Sequence, residues 1–148
     1  MNDTIPKRWV GGVCIKDGAV LLIHRINKER VHNQEYFIFP GRYVQEDETL
    51  EEAITDHFHA MSVTAKLRKS IYSKGEGSDE TEDYYLCEYL FGEAVISSKL
   101  KDDYAESGEQ YYTPLWIPLG ELDELIVYPE EVKRLVTDID PLSPIENN

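Results

Sequence analysis

Apolar residues recur along this chain in two patterns, one of short runs and one with helical spacing. The runs at residues 8–16, 19–26, 37–39, 64–73 and 84–91 are rich in β-branched and aromatic residues, a composition that favours strands. Asp17-Gly18 between the first two runs favours a tight primed turn, so residues 8–26 are predicted to form a β-hairpin. Gly11-Gly12 within its first arm indicates a bulge or a close backbone approach.

The helical spacing begins near Leu50. Pro40 and Gly41 should end the strand at 37–39, and Thr49 with Glu52 has the spacing of a capping box. At 100° per residue, one face of the predicted helix is apolar and the other polar. The apolar face holds Leu50, Ala53, Ile54, His57, Phe58, Ala60 and Met61, and the polar face holds Glu51, Glu52, Thr55 and His59.

The later part of the chain is more polar. Residues 75–83 are predicted to form a flexible acidic loop, and residues 84–91 a strand that pairs antiparallel with residues 64–73. Residues 94–110 should contain a strand end and a mobile loop with Tyr104, Glu106 and Glu109. Pro129 is expected at the first position of a terminal helix, followed by Glu130 and Glu131 in its first turn. Residues 1–7 and 141–148 are expected to be frayed.

Length and charge restrict the function. The 148 residues suit one domain, and 41% hydrophobic with 30% charged residues suits a soluble globular protein. The net charge of −14 argues against binding of a nucleic acid polymer. However, residues 1–74 hold 11 of the 15 Lys and Arg but only 10 of the 29 Asp and Glu. This near-neutral half can accept an anionic ligand, and Lys28, Arg30 and His32 give one connection local positive character.

The cysteines and the apolar runs indicate the cellular compartment of the protein. Cys14 and Cys87 lie in strand-like runs, where they are expected to be buried free thiols. No apolar run approaches a membrane-spanning length, and residues 1–9 have no apolar signal core. We therefore expect a cytoplasmic protein that has no contact with a membrane.

The segment from Phe37 to Val63 resembles the signature box of the Nudix (MutT-type) hydrolases, G-x5-E-x7-R-E-U-x-E-E-x-G-U, where U is a bulky apolar residue. The family's phrase around this box is roughly F-P-G-G-x-V-E-x-G-E-T-x-x-x-A-x-x-R-E-U-x-E-E-x-G. The matches in register are Phe39, Pro40, Gly41, Val44, Glu48, Thr49, Ala53 and Phe58. The stretch from Tyr111 also resembles the closing strand, the short L-x-E-L helix and the Y-P-E-E helix of these proteins. The resemblance implies a single domain over 1–148 of the α/β (α+β) class, with a mixed, curved sheet sandwiched between helices.

The box is degenerate in this chain. Arg42 replaces the second glycine, and Asp56 replaces the arginine. The three glutamates that hold Mg²⁺ or Mn²⁺ in the family are replaced by His57, Ala60 and Met61. Because methyl and thioether groups cannot supply the oxygen ligands of these ions, the resemblance supports the fold more than the metal chemistry.

The resemblance and the residue chemistry together name six candidate site residues. His57 and Glu48 are the candidate catalytic residues, since an imidazole accepts a proton near neutral pH and Glu48 survives from the box. The carbonyl of Gly41 is the candidate metal ligand, with Glu80, Glu82, Glu106 and Glu109 as acids that could complete a site. The candidate substrate contacts are Arg25, Arg42 and Tyr43.

His57, the two arginines and the tyrosines also have structural explanations. His57 could be a partly buried, hydrogen-bonded histidine, Arg25 a solvent-facing strand residue, and Arg42 an exposed loop arginine. Six tyrosines could stack on a nucleotide base, although most of them are better explained as strand residues. These tyrosines are Tyr43, Tyr84, Tyr85, Tyr104, Tyr111 and Tyr112.

Three functions remain open at this point. The first is a weakened or inactive Nudix homologue that binds a nucleotide-like or other phosphorylated small molecule. The second is an active, metal-dependent hydrolase of a nucleoside diphosphate linked to another group, with metal ligands outside the box helix. The third is an interaction module that uses the apolar helix face. A homodimer stays open under each of them.

Overall fold

A computed structural model describes residues 6–27, 34–97, 99–100 and 112–138. Within these residues, the chain forms eight strands, two α-helices and one 3-10 helix. In chain order the elements are β1 (Lys7–Lys16), β2 (Ala19–Asn27), β3 (Gln34–Ile38), β4 (Gly41–Tyr43), α1 (Leu50–Ala60), β5 (Thr64–Lys74), β6 (Glu80–Phe91), β7 (Thr113–Pro118), the 3-10 helix (Leu119–Glu124), β8 (Val127–Tyr128) and α2 (Glu130–Thr137).

The strands form one mixed sheet in the order β5-β6-β1-β2-β3-β8, with β4 paired to β1 and β7 paired to β2. The β1–β6 and β3–β8 pairs are parallel and the others antiparallel. Three register shifts between β5 and β6 bend that edge, since bulges increase local twist. The predicted mixed, curved sheet is confirmed.

The predicted hairpin is confirmed at Asp17-Gly18. Both residues have positive φ, 51° and 76°, as a primed turn requires. The two arms pair only next to this turn, at Ile15 with Val20 and at Lys16 with Ala19, and then diverge. Because the arms separate, β4 and β6 can pair with β1 while β3 and β7 pair with β2.

Helix α1 begins at the predicted residue and buries the predicted apolar face. Thr49 and Glu52 form both hydrogen bonds of the capping box, each 3.0 Å long. The buried residues of the helix are Ala53, Ile54, His57, Phe58 and Ala60, whereas Glu51, Glu52 and His59 are exposed. In the part of the chain that the structure describes, no helix is long and apolar enough to cross a membrane.

Two apolar clusters show that the sheet lies between helices. One cluster joins Leu21 and Ile23 of the sheet to Ile54 and Phe58 of α1. The other, on the opposite face, joins residues of the same strands to the 3-10 helix and α2, through Val20, Leu22, Leu119, Leu122, Val132 and Val136. The predicted layering of one sheet between helices is therefore confirmed.

Gly11 and Gly12 allow close packing on both faces of β1. A Cβ at Gly11 would lie 2.2 Å from the Tyr84 ring, and a Cβ at Gly12 would lie 2.6 Å from the Phe58 ring. Of the two predictions for Gly11-Gly12, a bulge or a close backbone approach, the structure therefore shows the close approach.

Several local predictions need correction. Only residues 75–79 form the loop predicted at 75–83, because Glu80 to Asp83 pair with β1 from Lys7 onward, and this pairing outweighs the local composition. The same pairing places Lys7 in a strand rather than in a frayed end. Pro129 is the N-cap and not the first residue of α2, since its ψ of 146° is extended. Strand β6 ends at Phe91, and residues 94–97 and 99–100 hold no strand; the rest of the segment at 94–110, where a strand end is predicted, lies outside the described residues.

Candidate functional site

A cavity of about 910 Å³ opens between the start of β1, the turn joining β5 to β6, and the start of α2. Aromatic rings form much of its wall, namely Trp9, Phe39, Tyr43, Tyr84 and Tyr128. Trp9 packs edge-to-face on Tyr43 with ring centroids 5.1 Å apart, and Phe39 packs similarly on Tyr84 at 6.4 Å. Because Tyr43 and Tyr128 are each 47% exposed, they offer ring surface to a planar ligand.

The charged residues of the cavity wall are mostly acidic. Glu80, Glu82, Glu130 and Glu131 line it together with two cations, Lys7 and Lys74. The Lys7 ammonium lies 5.9 Å from the centroid of the Tyr43 ring, so that one cation sits beside the most exposed part of the aromatic wall. This mixture suits the neutral, hydrogen-bonding edge of a ring better than a cluster of phosphates.

Tyr84 supplies an uncharged hydroxyl at the base of the cavity. Burial raises the pKa of this phenol well above its ordinary value, and the neighbouring Glu82 raises it further. The group therefore stays protonated over the physiological range and can act as a hydrogen-bond donor or acceptor.

Arg42 lies beside the cavity, in a buried ion-pair network. Its Nη1 and Nη2 donate to the two carboxylate oxygens of Glu48 at 2.8 and 2.7 Å, and Nη2 also contacts Oδ2 of Asp56 at 3.1 Å. Nη1 donates in addition to the backbone carbonyl of Tyr43 at 2.8 Å. The hydrogen bond from Arg42 holds the pKa of Glu48 below its ordinary value, with help from the Gln45 amide.

The buried face of α1 contains the three positions that the resemblance aligns with glutamates of the box. His57 and Met61 are both fully buried, and Ala60 is 5% exposed. Residues 95–97 and 99–100 cover this end of the helix: the Val95 amide donates to the Met61 carbonyl at 3.0 Å, the Ser97 hydroxyl donates to the Ala60 carbonyl, and Leu100 is fully buried. His57 is therefore sealed in the core rather than open to a wet cleft.

This helix face does not fit a divalent cation. A methyl, a thioether and one buried imidazole replace the oxygens that such an ion needs. Across the described ranges, no group of three or more His, Cys, Asp and Glu side chains is placed to hold a metal. Gly41 pairs with Gly11 in the β1–β4 ladder, and a Cβ there would meet the Val10 carbonyl oxygen at 2.6 Å.

The structure brings only part of the predicted site together. Tyr43 lines the cavity, whereas Gly41, Arg42, Glu48 and His57 are not among its lining residues. Arg25 lies on β2 opposite Tyr36 of β3 and is only 3% exposed, so the solvent-facing alternative for it is wrong. The exposed alternative for Arg42 is wrong for the same reason, since Glu48 and Asp56 draw its guanidinium inward.

Of the acids predicted to complete a metal site, Glu80 and Glu82 line the cavity. Glu106 and Glu109 lie outside the described residues, as do Tyr104, Tyr111 and the basic residues Lys28, Arg30 and His32. Trp9, Phe39, Tyr128 and the acids of α2 were not among the predicted site residues. The lining of the cavity comes from four separate parts of the chain, so no local motif marks it. The aromatic character of the strand ends was the signal available in the sequence.

Comparison with known proteins gives a match in structure alone. No protein-family profile matches the chain, and no curated protein matches it by sequence. The fold is similar to an ADP-ribose pyrophosphatase from Streptococcus suis, with a TM-score of 0.63, 13% identity and 90% of each chain covered. It is also similar to a Nudix-family hydrolase from Clostridium perfringens, with a TM-score of 0.64, 14% identity, and 93% of this chain and 96% of that chain covered. A MutT Nudix hydrolase from Burkholderia pseudomallei has a TM-score of 0.57 and 19% identity, over 90% of this chain and 96% of that one.

Proposed function

We propose that this chain, which has the fold of the Nudix hydrolases, binds a nucleotide-like small molecule in the aromatic cavity and hydrolyses it weakly or not at all. The observation that carries the proposal is the contrast between two regions. The cavity has volume, exposed rings and polar edges for a base. The helix face that would hold a cation is dry and has no oxygen ligands from its own side chains.

The ligand's planar end would enter the cavity. Stacking on Tyr43 and Tyr128 supplies contact area, and the carboxylates of Glu82 and Glu130 can accept hydrogen bonds from ring N–H groups. Phosphates would point away from these carboxylates, because like charges a few ångströms apart repel. Lys7 and Lys74 are the cations of the wall that could meet them.

The neighbours in structure make a phosphorylated small molecule the first class to test. One of them is named for ADP-ribose, and another is described as a UDP-X diphosphatase. The reducing cytoplasm stays the expected compartment, since both cysteines are free and buried.

The experiment combines binding and turnover on one panel. Adenosine, ADP, ADP-ribose and a UDP-sugar are tested by calorimetry and thermal shift, and phosphate release is followed with Mg²⁺, with Mn²⁺ and with a chelator. We expect stabilisation by at least one ligand, equal with and without metal, and little or no phosphate release. Metal-dependent turnover that a chelator abolishes would instead support the active hydrolase, with Glu80 and Glu82 as its first candidate ligands.

A matched pair of variants locates the binding. Tyr43→Ala removes a ring from the cavity wall, and Phe91→Ala removes a 65% exposed ring that is not part of the wall. Loss of one stacking partner costs about 1–3 kcal/mol, so Tyr43→Ala should weaken binding at least about five-fold. Phe91→Ala should leave it unchanged. Equal effects of the two, or no ligand response at all, would favour the interaction module.

A further inference from the structure

Two departures from the Nudix box touch each other in the folded chain. Arg42 stands where the box has its second glycine, and Asp56 stands where the box has its arginine. They are 14 residues apart, yet Nη2 of Arg42 lies 3.1 Å from Oδ2 of Asp56. The same guanidinium holds Glu48, the acid that the box shares with this chain, through two hydrogen bonds.

We infer that the arginine of the box has moved from the helix to the strand, and that Arg42 is a positioning residue that fixes the Tyr43 wall of the cavity. The substitutions at 42 and 56 are then one exchange of charge, because Glu48 and Asp56 contact the same Nη2 atom of Arg42 and the side chain at position 56 therefore lies next to the carboxylate of Glu48. In this arrangement Arg42 acts on a ligand through Tyr43 rather than by binding phosphate.

The burial of Arg42 makes the residues at positions 42 and 56 depend on each other. The side chain of Arg42 is 6% exposed, against 20% for Glu48 and 44% for Asp56. A guanidinium this deep is stable only when carboxylates and carbonyls take up its hydrogen bonds. Without that cation the carboxylates of Glu48 and Asp56 would repel, and the half-exposed Lys99, whose Nζ lies 3.4 Å from Oδ2 of Asp56, would balance them only in part, so positions 42 and 56 depend on each other.

The network also reaches the cavity wall. Nη1 of Arg42 donates to the Tyr43 carbonyl, and the Tyr43 ring packs edge-to-face on Trp9. Arg8 donates to the Glu48 carbonyl at 3.0 Å, so β1 and the loop before α1 are tied to the same point. The positioning of Tyr43 matters for binding only if the cavity is the binding site, and this part rests on the proposed function.

The charge exchange is tested by a double-mutant cycle that needs no ligand. Arg42→Gly and Asp56→Arg are each expected to lower the Tm by at least about 5 °C. Arg42→Gly leaves the Glu48 carboxylate without its guanidinium, and Asp56→Arg places a second guanidinium next to that of Arg42. The double variant R42G/D56R should recover more than half of the loss of the worse single variant. If a single variant does not fold, a folded double variant supports the exchange in the same way.

The matched control is the exposed pair Glu130 and Arg134 on α2, whose charged atoms lie 3.9 Å apart. The single reversals E130R and R134E should each lower the Tm by a few degrees because they oppose the helix dipole, and the double reversal E130R/R134E should show little coupling, since exposed pairs contribute little. The inference is overturned if R42G/D56R is as destabilised as the sum of its single variants, or if it does not fold.

Positioning of Tyr43 is read from Trp9 fluorescence in a Trp116→Phe background. Arg42→Gly should shift the Trp9 emission of the folded protein, and the double variant should restore it. An emission that stays unchanged in Arg42→Gly would overturn the positioning role even if the stability cycle shows coupling. Failure of the cavity to bind any ligand would overturn the proposed function but leave both of these readouts intact.

Discussion

The amide of Val95 donates a 3.0 Å hydrogen bond to the carbonyl of Met61, the residue that ends α1. This contact holds the segment after β6 against the end of the helix that contains His57, Ala60 and Met61. Ala60, Met61 and Leu100 belong to one buried apolar cluster, and His57 is fully buried. This helix face therefore has neither oxygen ligands from the side chains at 57, 60 and 61 nor access to water.

A glutamate on the buried face of α1 should therefore destabilise the protein rather than create a metal site. His57→Glu places a carboxylate at a fully buried position, and we expect a loss of about 3 kcal/mol or more in the free energy of unfolding, measured by urea denaturation. His59→Glu, on the exposed side of the same helix, should cost no more than about 0.5 kcal/mol. Comparable stabilities of the two variants would show that position 57 reaches water.

The packing of α1 on β1 depends on Gly12. In Gly12→Ala, the new methyl would lie 2.6 Å from the Phe58 ring and 3.1 Å from Ile54, so we expect a destabilisation of about 1–3 kcal/mol. Gly120→Ala is the control, because a Cβ at that glycine has no neighbouring atom within 4 Å. A chemical denaturation curve for Gly12→Ala that overlays the control would contradict this packing.

The acidic wall of the cavity should discriminate against phosphate. Glu80→Gln removes one like charge and leaves the proposed ring acceptors Glu82 and Glu130 intact, so at low salt it should strengthen the binding of ADP about five-fold while leaving adenosine unchanged. The gain should shrink as salt is added. Glu121→Gln, outside the cavity lining, should change neither ligand. Calorimetry at two salt concentrations checks this, and an equal gain for adenosine and ADP would be inconsistent with a charge effect.

The Arg42–Glu48 pair should make stability depend on pH. Because the folded state lowers the pKa of Glu48, its contribution is fully present above the ordinary value of 4.5 and is lost as the pH falls through the lowered pKa. The Tm difference between the wild type and Glu48→Gln should be constant from pH 7 to pH 5 and should shrink below that. A difference that stays constant at acid pH would mean that the charge of Glu48 does not matter.

Local sequence signals predicted the elements that depend on neighbouring residues. The primed turn at Asp17-Gly18, the capping box at Thr49 and the buried face of α1 are all read within a few residues of chain, and all are confirmed. The start of β6 was not predictable in this way. Glu80 to Asp83 are polar, and they form a strand because β1 supplies hydrogen bonds from far away in the sequence.

The site was predicted less well than the fold because it is assembled from distant segments. Tyr43 was named as a ligand contact from its place in the box, but Trp9 reaches the same cavity from β1 in the middle of the sheet and Tyr128 from β8 at its edge. The pairing of Arg42 with Asp56 was likewise not readable, since their 14-residue separation has no regular geometric meaning between a strand and a helix. Single-residue substitutions were visible in the sequence, but their mutual contact was not.

The parallel pairing of β1 with β6 sets an order for the folding of this chain. From Lys7 to Ile15, β1 finds its long partner only about seventy residues later in the chain. During synthesis the edge of β1 that faces β6 must therefore stay unpaired until β6 has left the ribosome, and contacts of such long range slow folding. Variants that weaken β6 should consequently lower the yield of native protein in cells by more than their equilibrium stability would suggest.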